Sequence, residues 1–95
     1  MTEEQNRIQL EIDMDDETAQ GVYANLAGVA HGPGEFIMDF LFMQPSQPKA
    51  KLRARVISSP AHTKRFLAAL SENIRKYEEK NGVIVESSTP PQAHG

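Results

Sequence analysis

The sequence predicts an α+β fold: a four-stranded antiparallel sheet with one long C-terminal helix packed on one face. Three observations predict it. Short apolar or alternating segments occupy the first part of the chain, a strong turn sequence separates two of them, and a long amphipathic pattern comes after a helix-start signal. The expected element order is therefore β-β-β-β-α.

Size and composition limit the classes of function. The chain has 95 residues with 10 Lys and Arg, 13 Asp and Glu and no Cys, so its net charge is −3 and a disulfide framework or Cys-based zinc site is excluded. No apolar run approaches the roughly 20 residues of a membrane helix, and the N-terminus is polar and acidic, unlike a secretory signal. We therefore expect a cytoplasmic protein without a membrane partner.

The domain organisation is simple. We expect a single domain over residues 7–85, between a disordered N-terminus at 1–6 and a disordered tail at 86–95 that is rich in Ser and Pro. A chain of this length builds only a small core, and burying a face against a second copy is one way to supplement it. A homodimer is therefore expected.

The first predicted strand covers residues 7–13, which alternate between apolar and polar side chains. Such alternation is typical of a strand with one buried face. The apolar positions are Ile8, Leu10 and Ile12, and the polar positions between and after them are Gln9, Glu11 and Asp13.

Residues 21–31 fit two structures. A helix starting near Asp15 or Asp16 has apolar residues at helical spacing, whereas the residues after position 31 favour a strand. The turn sequence at 31–35 precedes a continuous apolar run at 36–43, which is typical of a buried strand. The strand interpretation is preferred because the two runs then form a hairpin, although a helical beginning within 15–30 stays open.

In the predicted hairpin, the numbers of paired residues sum to 66. One face then places small residues opposite large ones, which lets side chains interdigitate. These pairs are Ala24 with Phe42, Leu26 with Phe40, Gly28 with Met38, and Ala30 with Phe36. The opposite face is mixed and pairs Tyr23 with Met43, Asn25 with Leu41, Ala27 with Asp39, Val29 with Ile37, and His31 with Glu35.

A further strand is predicted at 50–57, after a loop at 44–48. Its residues again alternate, so that the apolar positions join the apolar face of the hairpin and the basic positions join the mixed face. The apolar positions are Leu52, Ala54 and Val56, and the basic positions are Lys51, Arg53 and Arg55.

The long helix is predicted from Pro60 to about Lys80. A Ser cap with Pro at the first helical position starts it, and Asn81-Gly82 ends it. We expect its apolar stripe to lie in the core, and the short apolar run at 83–85 to pack under the helix or add a strand. The stripe consists of Phe66, Leu70, Ile74 and Tyr77.

Three stretches carry a resemblance to a known family. They are residues 21–26, residues 30–40 with their His-x-x-x-Glu-Phe turn, and the basic strand 48–60 with the helix 61–77 after it. Together they resemble a family of small bacterial and archaeal proteins catalogued as a domain of unknown function, over Ile8–Lys80. The resemblance implies a self-contained prokaryotic domain and brings no activity, cofactor or substrate. In element order alone, the chain is similar to the bacterial export-chaperone (SecB-type) fold, which implies an oligomer that binds client proteins.

The polar residues offer few candidates for chemistry. His31 and Glu35 can act as an acid/base or metal pair or simply pin the hairpin, and they lack a third ligand or an oriented nucleophile. Asp39 lies in the most apolar strand and needs a partner, for which Arg55 or Arg53 is in register. We therefore expect no enzyme activity, no metal and no cofactor.

The mixed sheet face is left without a helix to cover it, and it is too apolar to stay in water. The leading hypothesis is a non-enzymatic protein-interaction module that forms a homodimer through this face or an edge strand and binds an unknown protein partner. One alternative is a nucleic-acid accessory protein that uses Lys51, Arg53 and Arg55, and another is a chaperone-like client binder. The predicted interface residues are Tyr23, Asn25, Val29, Ile37, Asp39, Leu41 and Met43.

Overall fold

The computed structural model describes residues 9–86. They form a short helix, three strands and a long helix, and the strands make one antiparallel sheet in the order β1-β2-β3. The elements are α1 (Asp16–Gln20), β1 (Leu26–His31), β2 (Phe36–Met43), β3 (Ala50–Ser58) and α2 (Pro60–Asn81). The predicted α+β class, with an antiparallel sheet and a long C-terminal helix, is confirmed.

The predicted first strand is wrong for the residues that the structure describes. Residues 9–13 lie outside helix and strand, and Leu10 and Ile12 are 81% and 71% exposed. Alternation sets which side chains share a face, but a strand also needs a neighbouring edge to satisfy its backbone groups. The predicted disordered ends fall, apart from Glu86, in residues 1–8 and 87–95, outside the described part of the chain.

The ambiguous segment before the hairpin is partly helix and partly strand. Helix α1 begins after Asp15, whose carbonyl accepts a hydrogen bond from the Ala19 N–H at 3.0 Å. Gly21 then ends it with a φ of 77°, a conformation that glycine adopts without steric cost. Strand β1 starts only at Leu26, later than the predicted position 21. Residues 21–25 lie in neither helix nor strand, so the apolar residues at helical spacing within 21–31 are not helical.

The hairpin forms as predicted, but its register differs by one residue. The numbers of paired residues sum to 67, so Val29 faces Met38, Gly28 faces Asp39 and His31 faces Phe36. The Gly32 N–H donates to the Glu35 carbonyl at 3.0 Å and closes the turn between the strands. A one-residue slip exchanges the two faces of a strand, so every side chain of β1 lies on the face opposite to the predicted one.

Strand β3 pairs antiparallel with β2 and contains an irregularity. Phe40 faces Ala54, whereas the next residue, Leu41, faces Leu52, so Arg53 is an extra residue without a partner on β2. Such a bulge changes the side-chain alternation on the strand that contains it. Leu52 consequently pairs on the face of Leu41 rather than with the later apolar positions of β3.

Helix α2 confirms the predicted start and end. The Ser59 hydroxyl accepts a hydrogen bond from the His62 N–H at 3.2 Å, Pro60 occupies the first turn, and Gly82 comes next after the helix with a φ of 90°. The helix lies on the sheet face that carries Met38, because Phe66 lines a shallow cavity together with Met38 and residues of β3. We call this face the helix-side face; the residues that α2 approaches on it are Val29, Phe36, Met38, Phe40 and Val56.

The apolar stripe of α2 is not buried, contrary to prediction. Phe66 is 48% exposed, and Leu70, Ile74 and Tyr77 are exposed to a similar extent. The α2 residues that line cavities together with the sheet fall within 60–70, and the groove between the two layers leaves Phe66 and Leu70 partly uncovered. The run 83–85 forms no strand, and Ile84 lies beside Ile74 and Tyr77.

The core of one chain is therefore very small. Among the described residues, Met38 in the central strand is the buried apolar side chain, at 9% exposure. It lies between the sheet and the first half of α2, where the two layers meet. Packing between sheet and helix depends on this single position more than on any other.

We expect Met38→Ala to destabilise the fold by about 2–5 kcal/mol, the usual cost of truncating a buried Met to Ala. Urea unfolding monitored by circular dichroism measures the change. The control is Val85→Ala, because Val85 is 83% exposed and its truncation removes little buried surface. Equal unfolding midpoints for the two variants would contradict the assigned core.

Candidate interaction surface

The second face of the sheet is open. Strand alternation and the observed register place three cross-strand rows on it, each with one residue of β2 at the centre. Neither helix forms a hydrogen bond to this face within residues 9–86, and α2 lies on the opposite side. We call it the open face; its rows are Ala30–Ile37–Ile57, Gly28–Asp39–Arg55 and Leu26–Leu41–Leu52.

The centre of the open face is an ion pair. The Arg55 Nε donates to Asp39 Oδ1 at 2.7 Å and its Nη2 donates to Oδ2 at 2.9 Å, which is the two-pronged arrangement of guanidinium on carboxylate. The side chain of Asp39 is 25% exposed and that of Arg55 54%. The sequence predicted Arg55 or Arg53 as the partner, and the structure selects Arg55.

The ion pair changes the titration of its acid. The hydrogen bonds from Arg55 hold the pKa of the Asp39 carboxyl below its ordinary value, against a smaller opposing effect of desolvation. The same contact raises the pKa of Arg55. Both groups therefore stay charged at neutral pH, and the apolar rows on either side flank a fixed pair of opposite charges.

The seven predicted interface residues divide among three locations. Ile37, Asp39, Leu41 and Met43 alternate along the open side of β2, as predicted. Val29 instead lines the groove under α2, because the register differs from the predicted one by one residue. An interface role for these side chains stays a prediction.

The two remaining predicted interface residues precede β1. The Tyr23 ring contacts Phe42 edge to face at a centroid distance of 6.1 Å, so it does not lie beside Met43 as predicted. The Asn25 side-chain amide donates to the Met43 carbonyl at 3.0 Å and accepts from the Met43 N–H at 2.9 Å. The side-chain amide therefore takes the place of one pair of backbone hydrogen bonds at the end of the hairpin.

The basic residues of β3 do not form one stripe, contrary to prediction. Arg55 is engaged by Asp39, Arg53 is the bulged residue, and Lys51 pairs with Phe42. The bulge therefore separates Arg55, on the open face, from Lys51, which pairs on the helix-side face. A nucleic-acid role loses the aligned cations on which that alternative depended, and the chain is acidic overall.

His31 and Glu35 are not cross-strand partners. His31 faces Phe36, and the two rings lie 5.5 Å apart at a tilt of 32°. His31 belongs to the helix-side face and Asp39 to the open face, so these side chains do not converge on one site. Within residues 9–86, no three acidic or His side chains are grouped so that they can hold a metal ion.

Sequence reasoning missed the groove between α2 and the sheet. It has a volume of about 510 Å³ and is lined mainly by apolar side chains from β1, β2 and the first half of α2, among them Val29, Phe36 and Leu70. The only sequence feature that indicates this groove is the apolar stripe of the helix. The same pattern is typical of a helix packed on a closed core, so it does not predict a groove. The stripe and the sheet leave a gap between them.

The architecture defines a small α+β domain with one apolar sheet face uncovered. The sequence model of the family described as "Protein of unknown function (DUF3467)" matches residues 1–86, so the chain belongs to that family. This confirms the resemblance to a domain of unknown function. Neither a curated protein nor a solved structure matches the chain, and the likeness to the export-chaperone fold stays a prediction. In the part of the chain that the structure describes, both helices are too short or too polar to cross a membrane.

The Asp39–Arg55 pair predicts a pH dependence of stability. Because the pKa of Asp39 is lower in the folded chain than in the unfolded chain, the stabilisation is complete above the ordinary value of 3.8 and is lost as the pH falls through the folded value. We expect the free energy of unfolding of the wild type to fall more steeply below pH 4 than that of Arg55→Gln.

Denaturant midpoints between pH 2 and pH 6, at one fixed protein concentration, measure this difference. Arg65→Gln is the matched control, since it removes a cation from α2 but leaves the pair with Asp39 intact. It should keep the slope of the wild type. Identical slopes for the Arg55→Gln variant and the wild type would show that the pair does not set the acid dependence.

Proposed function

We propose that the chain is a non-enzymatic protein-interaction module that functions as a homodimer. One observation carries the proposal: within residues 9–86, one apolar side chain is buried while large apolar side chains on both layers are exposed. Small domains that cannot bury enough surface alone often gain it from a second subunit. A second copy supplies that surface without requiring any other molecule.

The open face is the best candidate for the contact. Its outer rows present Ile37, Leu41 and Ile57, and Ile57 is 59% exposed. A two-fold axis through the centre of the face brings the Asp39–Arg55 pair of one copy near that of the other. The carboxylate of each pair can then accept from the guanidinium of its partner, which fixes the register of two otherwise apolar surfaces.

Fewer observations support a protein partner other than a second copy. The groove beside α2 has the apolar lining and size of a site for a side chain or short segment, but its residues do not select one partner. Binding of client proteins, the chaperone-like alternative, would use this same groove. Self-association has the stronger support because it also explains the exposed sheet face.

We expect Ile57→Asp to weaken the dimer strongly while the fold survives, because Ile57 is exposed in the single chain and would place a carboxylate in the apolar interface. Analytical ultracentrifugation between about 1 and 100 μM measures the dissociation constant, and circular dichroism checks the fold. Leu41→Asp tests the same face from the central strand and should have the same effect.

The matched control is Val83→Asp, which introduces the same charge at a side chain that is 78% exposed beyond α2. It should leave the dimer unchanged. A wild-type chain that sediments as a monomer over the whole range would overturn the proposal, and a dimer that tolerates both Ile57→Asp and Leu41→Asp would place the contact elsewhere.

A further inference from the structure

The segment at Gln9–Met14 has the pattern of a strand but no partner strand in its own chain. Its apolar side chains Leu10, Ile12 and Met14 are 81%, 71% and 56% exposed. The side chains between them, Glu11 and Asp13, are acidic. An alternating segment of this kind can bury its apolar side and satisfy its backbone by joining the edge of a sheet.

Strand β3 offers such an edge. It has nine residues and pairs with β2 on one side, while within residues 9–86 no strand pairs with its other side. Basic side chains on an edge strand discourage pairing with strands of arbitrary sequence. They favour one kind of partner, a strand with acidic side chains.

The charges of the two elements are complementary. Lys51 and Arg53 lie on the β3 edge, and neither takes part in an ion pair between described residues, whereas Arg55 is held by Asp39. Glu11 and Asp13 have the same spacing of two residues as Lys51 and Arg53. The other edge strand, β1, carries no Asp, Glu, Lys or Arg, so it has no comparable means of selecting this segment.

The open face is small, so a second contact would enlarge the interface of a dimer. Three strands about 4.8 Å apart and about 26 Å long have a projected area of roughly 370 Å². A stable interface usually buries about 800 Å² on each partner. Under a two-fold axis, an added strand is contributed twice, once by each copy.

We propose that Gln9–Met14 of one copy adds as a strand to the β3 edge of a second copy, with Glu11 and Asp13 paired to Lys51 and Arg53. This inference rests on the proposed homodimer and names the segment that completes it. The exchange is reciprocal, so each dimer contains two added strands. In the dimer, the apolar side chains of the segment become buried. The unpaired backbone N–H and C=O groups of the β3 edge form hydrogen bonds with the segment.

A charge-exchange experiment tests the proposal. The segment variant carries Glu11→Lys and Asp13→Lys, and the edge variant carries Lys51→Glu and Arg53→Glu. Each variant alone places like charges opposite one another at both ends of the dimer, so we expect its dissociation constant to rise by roughly tenfold or more. When the two variants are mixed, lysines meet glutamates and the acidic segment meets the basic edge, so a heterodimer should form with nearly wild-type affinity.

A second pair of reversed charges controls for overall attraction. Asp16→Lys with Glu17→Lys gives the same net charge as the segment variant but lies in α1, outside the proposed strand. Mixed with the edge variant, it should form a weaker heterodimer than the segment variant does, because one of the two added strands still places acidic side chains opposite the introduced glutamates. Native mass spectrometry of isotope-labelled variants reports homodimer and heterodimer populations directly.

The outcomes separate this inference from the proposed function. A wild-type dimer whose affinity is unaffected by either variant would overturn the strand exchange and leave the homodimer standing. Pairing within one chain would give a different result: both variants would be less stable, no heterodimer would form on mixing, and a chain with all four changes would recover wild-type stability. That result would also overturn the strand exchange. A monomeric wild type would overturn both proposals.

Discussion

The register of the β1–β2 hairpin determines the chemistry of both sheet faces. The hydrogen bond from the Gly32 N–H to the Glu35 carbonyl sets one end, and the side-chain amide of Asn25 clasps Met43 at the other. Between them, Gly28 lies opposite Asp39 and Val29 opposite Met38. Shifting the pairing by one residue would put the Val29 side chain on the face of the Asp39–Arg55 pair and remove it from the side of α2.

Features with a local signal could be predicted from the sequence. The Ser59 cap and Gly82 mark the ends of α2, and the turn at 31–35 marks a hairpin, because each signal depends on residues close together in the chain. The pairing of Asp39 with an Arg of β3 could be inferred from alternation and from the cost of an unpaired charge. The register could not, since packing small residues against large ones favours a neighbouring alignment. The bulge at Arg53 has no local signal either, and it disperses cations whose alternation predicts a stripe.

The apolar pattern of α2 shows a different limit. Phe66, Leu70, Ile74 and Tyr77 recur at helical spacing, which is typical of a helix that packs on a core, yet all four are substantially exposed in the single chain. A pattern of this kind shows which residues share one face of the helix, but it does not show what covers that face. The alternating residues before α1 show the same limit. Their pattern is that of a strand, but no strand of their own chain lies beside them within residues 9–86.

The clasp between Asn25 and Met43 also sets how far the N-terminal part of the chain can reach. Residues upstream of Asn25 leave the β1–β2 ladder at that point. Helix α1 spans about 6 Å and the six extended steps on either side of it add at most about 22 Å, so Asp15 lies at most roughly 28 Å from the clasp. The residues before Asn25 are therefore attached at one corner of the sheet by the Asn25 side-chain amide and by the Asn25 backbone N–H, which donates to the Leu41 carbonyl. Their far end can contact only surfaces within that distance.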